Sequence, residues 1–384
     1  MAETILDYLE RYGELTLWDF PLNDVDGLIL CQLSYLKFDG LVPNVKEIAK
    51  SVTLRQIAEH TDYENLYGDT RYEKDNRALF EGVLNSRRFG NMKLNCYINI
   101  IEKEWETQFS AITMLLEDGT AFVAFRGTDE TIVGWKEDFN MAFLSPVPGQ
   151  TYSAKYLNVV TTRLHGSFYV GGHSKGGNLA IYSAMNCAPR VQERIQRIYS
   201  MDGPGFRPEV LEECGYSNIA DKVVKLVPVS SLVGMLFEWD TRYRVIQSKV
   251  PGLAQHNPYT WLVKDGHFQE KDEIRNSRMV LDVAINEWLL KLDETQIKEF
   301  VNALFQVLEA SQADDLITFT SDWRKSMNGM IVALKETDEH TKEMVKTIVK
   351  ALFESYGNHV KDEVNVGINH VGTRVKSAKH ISKT

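Results

Sequence analysis

The sequence predicts an α/β protein in which helices flank a central, mostly parallel β-sheet. Two observations carry this prediction. Beyond about residue 94, short apolar runs typical of buried strands alternate with helical patterns, and such alternation favours parallel strands joined by right-handed crossovers. Within this region, residues 167–185 combine an apolar run, a glycine-rich turn and a helical pattern. The chain is predicted to be helical both before this region and after it.

Composition and charge narrow the class of protein. The 384 residues suffice for a large core, and 43% of them are hydrophobic and 25% charged, as in ordinary globular proteins. The formal net charge of −10 argues against a nucleic-acid partner, because binding to phosphates favours a basic surface. No apolar run approaches the length that spans a membrane, and peripheral contact with a membrane surface stays open. The sequence also leaves the oligomeric state open.

The cysteines indicate a cellular compartment. Four of them are scattered along the chain without a pairing pattern, namely Cys31, Cys96, Cys187 and Cys214. We expect them to be small apolar residues, mostly buried, in a reducing compartment. The first residues are acidic and amphipathic, which is not typical of a secretory signal. Together these features predict a cytoplasmic location.

Residues 1–92 are predicted to form a mainly helical segment packed on the core. Apolar residues recur at helical spacing between residues 5 and 9 and again between residues 28 and 36. The stretch that starts at Asp24 predicts a capped and largely buried helix. Residues 59–88 are highly charged and are expected in surface helices and loops.

Residues 93–272 are predicted to form the α/β core. Three early strands, the second and third joined by an Asp118-Gly119 turn, are expected to give the sheet an antiparallel start. Helices are predicted near residues 131–143 and 154–164. The predicted strands cover residues 94–101, 110–116, 120–125, 167–170, 197–201, 223–227 and 243–248.

Residues 273–384 are predicted to form a helical extension. Apolar residues follow a helical period near residues 279–292, 297–308 and 345–353. The last residues, from Lys376 onward, are basic, small and polar, and are expected to form a flexible tail.

The turn Gly172-x-Ser174-x-Gly176 lies between a predicted strand and a predicted helix. Strand, sharp turn and helix with this motif form the nucleophile elbow of α/β-hydrolases. Glycine is needed on both sides of the serine because the turn brings neighbouring backbones too close for a Cβ atom. The sequence therefore predicts a sheet of the α/β-hydrolase type, with Ser174 as the candidate nucleophile.

A nucleophilic serine needs a base that takes its proton. In this architecture the order along the chain is serine, then an acid, then histidine. Two histidines follow the turn within the predicted core, His256 and His267. His256 is favoured because it lies in a loop that leaves a predicted strand, and His267 is the alternative. His173 lies inside the turn, where we expect its side chain to point away from the position of a base.

The sequence offers several candidates for the acid that orients the histidine. Asp202 follows the first strand after the turn and precedes a Gly-Pro-Gly bend, so its carboxylate can reach a histidine two loops away. The next strand, residues 223–227, is the more usual place for the acid, but no carboxylate follows it until Glu238 and Asp240. Asp202 is therefore favoured, with Glu238 and Asp240 as alternatives.

The oxyanion hole needs one amide from the residue after the nucleophile and one from a loop after an early strand. Lys175 supplies the first. Thr128, which follows the flexible Gly127, supplies the second through its amide and its hydroxyl. The ammonium group of Lys175 is expected either to attract an anionic substrate or to be a solvated charge.

Several of these motifs resemble a known family. Phe125-Arg-Gly-Thr128, the segment Gly134–Asp138 and the Gly172–Gly177 turn are similar to the class 3 lipase group of α/β-hydrolases. Residues 1–270 resemble more closely an uncharacterised bacterial lipase-like family, which also carries Asp202-Gly-Pro-Gly-Phe206 and Gln255-His256. That family also shares a scattered N-terminal pattern, here Tyr8, Leu9, Pro21, Asp26, Leu33, Ser34 and Tyr35.

The resemblance implies Ser174 as nucleophile and Thr128 with Lys175 as oxyanion donors. Two positions depart from the class 3 pattern. Lys175 replaces a small or apolar residue, and Ser231 stands roughly where class 3 lipases carry their aspartate. Asp202 resembles the different placement of the acid in pancreatic-type lipases.

The sequence therefore predicts a serine hydrolase that cleaves carboxylic esters, with a small acyl ester or a lipid as substrate and with neither metal nor cofactor. The preference for an ester over a peptide bond comes from the family resemblance alone. Two alternatives stay open. One is a catalytically silent hydrolase fold that serves as a binding or regulatory protein. The other is an acyltransferase or thioesterase that uses the same three residues.

Overall fold

The computed structural model describes residues 3–68, 72–102, 107–128, 145–231, 233–238, 240 and 242–271, with Gln296, Glu339, Lys342 and Glu343. The chain divides into two compact units, residues 1–250 with 255–301 and residues 251–254 with 302–384. In the second unit, Lys342 forms an ion pair with Glu339 at 2.8 Å. The predicted helix near residues 131–143, the Gly134–Asp138 motif, and the predicted C-terminal helices and tail lie outside the described residues, apart from these isolated positions.

The first unit alternates helices and strands. Its described α-helices are α1 (Ile5–Tyr12), α2 (Asp24–Leu33), α3 (Leu54–Ala58), α4 (Glu73–Asn85), α5 (Pro148–Val160), α6 (Lys175–Met185), α7 (Pro189–Gln192) and α8 (Pro208–Glu213). Its described strands are β1 (Val52–Thr53), β2 (Lys93–Glu102), β3 (Thr107–Leu115), β4 (Ala121–Phe125), β5 (Phe168–His173), β6 (Ile195–Met201), β7 (Val223–Pro228), β8 (Arg244–Ile246), β9 (Val263–Lys264), β10 (His267–Phe268) and β11 (Glu270–Lys271).

A nine-stranded sheet in the order β1-β2-β3-β4-β5-β6-β7-β8-β11 forms the centre of this unit. The strands from β1 to β4 pair antiparallel, the strands from β4 to β8 pair parallel, and β11 pairs antiparallel with β8. The predicted fold class, a mostly parallel sheet with an antiparallel start and flanking helices, is confirmed.

Apolar side chains cover both faces of the sheet. Phe122 packs with the N-terminal helices in one cluster that includes Leu28, while the next residue, Val123, packs in the other cluster with Leu157 and Leu179. Successive strand residues point to opposite faces, so a strand buried on both sides is apolar at every position. This explains why the central strands are recognisable as short apolar runs in the sequence.

A buried ion pair anchors the N-terminal helices. Arg88 donates to Asp26 through Nε at 2.8 Å and Nη2 at 2.5 Å, and both side chains are fully buried. Arg88 Nη1 also donates to the carbonyl of Phe20 at 2.8 Å, and the Tyr8 hydroxyl donates to Asp26 at 3.0 Å. Burying two charges is tolerable when each is paired and hydrogen-bonded in this way.

The structure differs from the predicted elements mainly at their ends. Helix α5 begins at Pro148, several residues before the predicted start near residue 154. Proline is well suited to the first helical position, and the Gln150 side chain accepts the amide hydrogen of Val147 at 3.1 Å. Strands β1 and β11 were not predicted, because two residues are too few to show a hydrophobic period.

The described residues also bear on the membrane and cysteine expectations. In this part of the chain no helix combines the length and apolar character needed to cross a lipid bilayer. All four cysteines are free, and Cys214 alone among them is partly exposed. Burial raises the pKa of the Cys96 thiol to about 11 and that of Cys187 to about 12. A cytoplasmic location stays a prediction.

Candidate active site

Ser174 lies at a sharp turn between β5 and α6. Its backbone has a positive φ of 58° with ψ of −132°, and its amide donates to the carbonyl of Met201 at 2.9 Å. A Cβ atom on Gly172 would lie 2.2 Å from the carbonyl carbon of Gly176, and one on Gly176 would lie 2.1 Å from the carbonyl oxygen of Phe125. Only glycine fits such close approaches, so the two motif glycines are required by the geometry of the turn.

The parallel strands bring the predicted site residues to one edge of the sheet. Thr128 follows β4, Ser174 follows β5 and Asp202 follows β6. In the strand register, Phe125 is paired with Gly172 and His173 with Met201. The carboxyl ends of adjacent parallel strands therefore present these three residues side by side, as is general for sites in such sheets.

Ser174, His256 and Asp202 form a continuous hydrogen-bonded series. The distance from Ser174 Oγ to His256 Nε2 is 3.0 Å, and the distance from His256 Nδ1 to Asp202 Oδ2 is 2.6 Å. The Asp202 side chain is 1% exposed and that of His256 is 12% exposed. A carboxylate can only accept, so Nδ1 carries the hydrogen and Nε2 is left to accept from the serine hydroxyl. The arrangement has the polarity that activation of a serine requires.

Ser231 binds the second oxygen of Asp202. Its hydroxyl donates to Oδ1 at 2.5 Å and accepts the amide hydrogen of Gly234 at 3.0 Å. A Cβ atom on Gly234 would lie 2.3 Å from Asp202 Oδ1, so glycine makes room for the carboxylate. The position that departs from the class 3 pattern thus contacts Asp202, the predicted acid, which follows a neighbouring strand.

The alternative acids and the alternative base have other partners. Glu238 forms a buried ion pair with Lys225. Asp240 pairs with Arg242 at 2.7 Å, and the hydrogen bonds from Arg242 lower the pKa of its carboxyl to about 2. His267 is exposed on β10, and its ring centroid lies 5.9 Å from that of Phe20. None of these contacts involves Ser174 or His256.

The two predicted oxyanion donors lie beside the turn. Thr128 is buried after β4, and a Cβ atom on the preceding Gly127 would lie 2.6 Å from the carbonyl oxygen of His173, so this loop contacts the turn closely. Lys175 is the first residue of α6, where the amides of the first helical turn point out of the helix end.

The Lys175 side chain differs from the expectation of a solvated or substrate-attracting charge. It is fully buried, and its ammonium group donates to the carbonyl of Gln108, on β3, at 2.9 Å. The reason is that the side chain extends from α6 back toward the sheet rather than toward solvent.

The residues that hold the segment around His256 in place were not predicted from the sequence. His173 Nε2 lies 2.9 Å from the His256 carbonyl oxygen, and the two imidazole centroids are 4.6 Å apart. Trp261 Nε1 donates to the Gln255 carbonyl at 2.8 Å. A histidine next to the serine is visible in the sequence, but nothing local reveals that its partner is a carbonyl 83 residues away.

Within the described ranges, no group of three or more histidine, cysteine, aspartate or glutamate side chains is arranged to hold a metal ion.

The sheet and its elbow define the chain as an α/β-hydrolase-like protein. The chain belongs to the Mbeg1-like family, a lipase-like family. The family model matches residues 83–306, which is more than half of this chain. Among solved structures it is similar to a lipase from Rhizopus microsporus var. chinensis, with 16% identity over 59% of this chain and 84% of that chain and a TM-score of 0.32. No curated protein sequence matches the chain.

Proposed function

We propose that this chain is a serine hydrolase that cleaves carboxylic esters through an acyl-enzyme formed on Ser174. The observation that carries the proposal is the hydrogen-bonded series from Ser174 through His256 to Asp202, with distances of 3.0 and 2.6 Å. Membership of a lipase-like family supports an acyl ester or a lipid as the substrate class. The four free cysteines support the companion proposal of a reducing, cytoplasmic compartment.

Acylation begins at the serine hydroxyl. His256 Nε2 accepts its proton as Oγ attacks the ester carbonyl carbon, and the imidazolium that forms is stabilised by the ionised Asp202. The same imidazolium then donates its proton to the departing alkoxide, which leaves as an alcohol. Ser231 holds the carboxylate by its other oxygen, so the oxygen that faces His256 keeps its orientation.

The negative charge on the former carbonyl oxygen is stabilised by the amides of Lys175 and Thr128. The positive end of the α6 dipole adds to this stabilisation, because α6 starts directly after the nucleophile. In deacylation His256 Nε2 takes a proton from water as the water oxygen attacks the acyl carbon. The bond from that carbon to Ser174 Oγ then breaks, the imidazolium returns its proton to Oγ, and the carboxylic acid leaves. An alcohol or thiol acceptor in place of water would give an acyltransferase, so product analysis distinguishes the two outcomes.

Turnover of esters with graded acyl length, measured with p-nitrophenyl esters, tests the proposal. The Ser174→Ala variant is expected to lose ~10⁴-fold or more in turnover. Ser217→Ala is the matched control, because Ser217 is exposed between α8 and β7. A folded wild-type chain that turns over no ester would favour the catalytically silent binding protein. A Ser174→Ala variant as active as wild type would contradict the assignment of Ser174 as the nucleophile.

A further inference from the structure

We propose that His173, held in one tautomer by Tyr35, is a positioning residue that fixes the backbone of His256 beside the nucleophile. This inference rests on the proposed esterase function, because it assigns a task within that same site. His173 directly precedes Ser174, so one residue contacts the base from the strand that also carries the nucleophile.

The His173 imidazole bridges two parts of the chain. Its Nε2 lies 2.9 Å from the His256 carbonyl oxygen, and its Nδ1 lies 3.0 Å from the Tyr35 hydroxyl. A carbonyl oxygen has no hydrogen to give, so Nε2 must carry the hydrogen and donate it. In the neutral ring Nδ1 then has a lone pair, which accepts the hydrogen of the Tyr35 hydroxyl. In the neutral ring the carbonyl contact therefore places the hydrogen on Nε2, and the Tyr35 hydroxyl can donate to the Nδ1 that this tautomer leaves free to accept.

The Tyr35 hydroxyl has two acceptors on His173. It lies 3.0 Å from Nδ1 and can also donate to the His173 carbonyl oxygen at 3.3 Å, so Nδ1 is the nearer acceptor for its hydrogen. A Cβ atom on Gly127 would lie 2.1 Å from that hydroxyl, so glycine at this position leaves the space that Tyr35 occupies. The His173 side chain is almost fully buried, so water has little access to compete for either nitrogen.

The backbone of His256 lies outside the sheet and needs other contacts to hold it in place. His256 ends a single 3₁₀ turn and belongs to no strand or α-helix, so the sheet does not hold its backbone. Side chains hold it instead. His173 binds the carbonyl of His256, Trp261 binds the carbonyl of Gln255, and the Gln255 side chain accepts the amide hydrogen of Ser230 at 2.9 Å.

Removing the donor on His173 should therefore move His256 rather than unfold the chain. A displacement of about 1 Å between reacting groups costs on the order of 10²-fold in rate. The effect should fall on kcat, because His173 contacts the backbone of the proposed base. The KM should change little.

The first test uses paired substitutions in the full-length protein, with ester turnover and the thermal midpoint measured for each variant. His173→Phe keeps a planar ring but has no donor, and we expect kcat to fall ~100-fold at unchanged KM. His173→Gln places an amide N–H near the position of Nε2 and should recover much of this loss. Tyr35→Phe removes the hydroxyl and should lower kcat by about tenfold. The matched controls are His165→Phe and Tyr63→Phe. His165 is exposed and the Tyr63 hydroxyl binds that of Tyr67, so both variants should keep the kcat and KM of the wild type.

The second test reads the tautomer itself. With ¹⁵N-labelled histidine, NMR of the wild type should show a neutral His173 with its hydrogen on Nε2, and Tyr35→Phe should reduce the population of that tautomer. The NMR measurement does not depend on turnover. It therefore still tests the tautomer of His173 if His173→Phe strongly lowers the thermal midpoint.

Three results would overturn the inference. The first is a His173→Phe variant with wild-type kcat. The second is a His173→Gln variant whose kcat is no higher than that of His173→Phe. The third is a wild-type His173 that carries its hydrogen on Nδ1. If the wild type itself shows no turnover that depends on Ser174, the esterase proposal fails and this inference fails with it. An active wild type with an unaffected His173→Phe variant removes the positioning role alone.

Discussion

Replacing Asp202 with asparagine tests the assignment of the acid. Both carboxylate oxygens accept a hydrogen bond, Oδ2 from His256 Nδ1 and Oδ1 from the Ser231 hydroxyl. Asparagine has nearly the same shape but offers one accepting oxygen and one donating NH₂ group. The substitution therefore leaves the packing of this buried residue in place and changes only charge and hydrogen-bond polarity.

Each orientation of the new amide impairs the base. If the NH₂ group faces His256, the imidazole hydrogen moves to Nε2, which then cannot accept the proton of Ser174. If the NH₂ group faces Ser231, the tautomer survives but the imidazolium lacks its negative partner. The same aspartate-to-asparagine change in a serine protease lowers kcat ~10⁴-fold, which corresponds to about 5.4 kcal/mol of transition-state stabilisation.

Steady-state turnover of a short p-nitrophenyl ester measures this loss, with circular dichroism to show that the variant is folded. Asp240→Asn is the matched control, because it makes the same chemical change in a carboxylate that binds Arg242 and Tyr216 instead of His256. Near-full activity of Asp202→Asn, with a large loss in Asp240→Asn or Glu238→Gln, would refute the assignment.

Two further substitutions test neighbouring contacts. Ser231→Ala removes the donor to Asp202 Oδ1 and should lower kcat by about ten- to a hundredfold at unchanged KM, since a hydrogen bond to a charged group contributes about 1.5–3 kcal/mol. Unchanged kcat would show that Asp202 is oriented without it. Arg88→Met leaves the buried Asp26 carboxylate without its cation and should lower the free energy of unfolding by about 3–5 kcal/mol in urea titration. The double variant Arg88→Met with Asp26→Leu should recover part of that loss, and a single variant as stable as wild type would contradict the role of the ion pair.

The local parts of this architecture were predictable from the sequence. The central strands are apolar at successive positions because helices cover both faces of the sheet, and this pattern is visible in any short window. The turn at Ser174 was predictable because its glycines are required by contacts within a few residues and with the adjacent strand. Asp202 could be favoured because the order of residues along the chain and the Gly-Pro-Gly bend both point to it.

The contacts that depend on distant residues were not predictable. In the sequence, Ser231 stands where class 3 lipases carry an aspartate. Nothing near Ser231 indicates that its hydroxyl binds a carboxylate 29 residues earlier in the chain. His173 appeared to point away from the base, and its partner Tyr35 lies 138 residues earlier. Side-chain hydrogen bonds of this kind follow no period in the sequence. They can be identified only in the folded structure, where the strands bring distant residues together.

The proposed function requires Ser174 to be a nucleophile that His256 and Asp202 activate. The most direct measurement is labelling of the purified chain with a fluorophosphonate, followed by mass spectrometry of its peptides. We expect one adduct, on Ser174, and we expect it to be lost in His256→Ala. No adduct on a folded wild-type chain, or an adduct on another serine that survives in Ser174→Ala, would contradict this expectation.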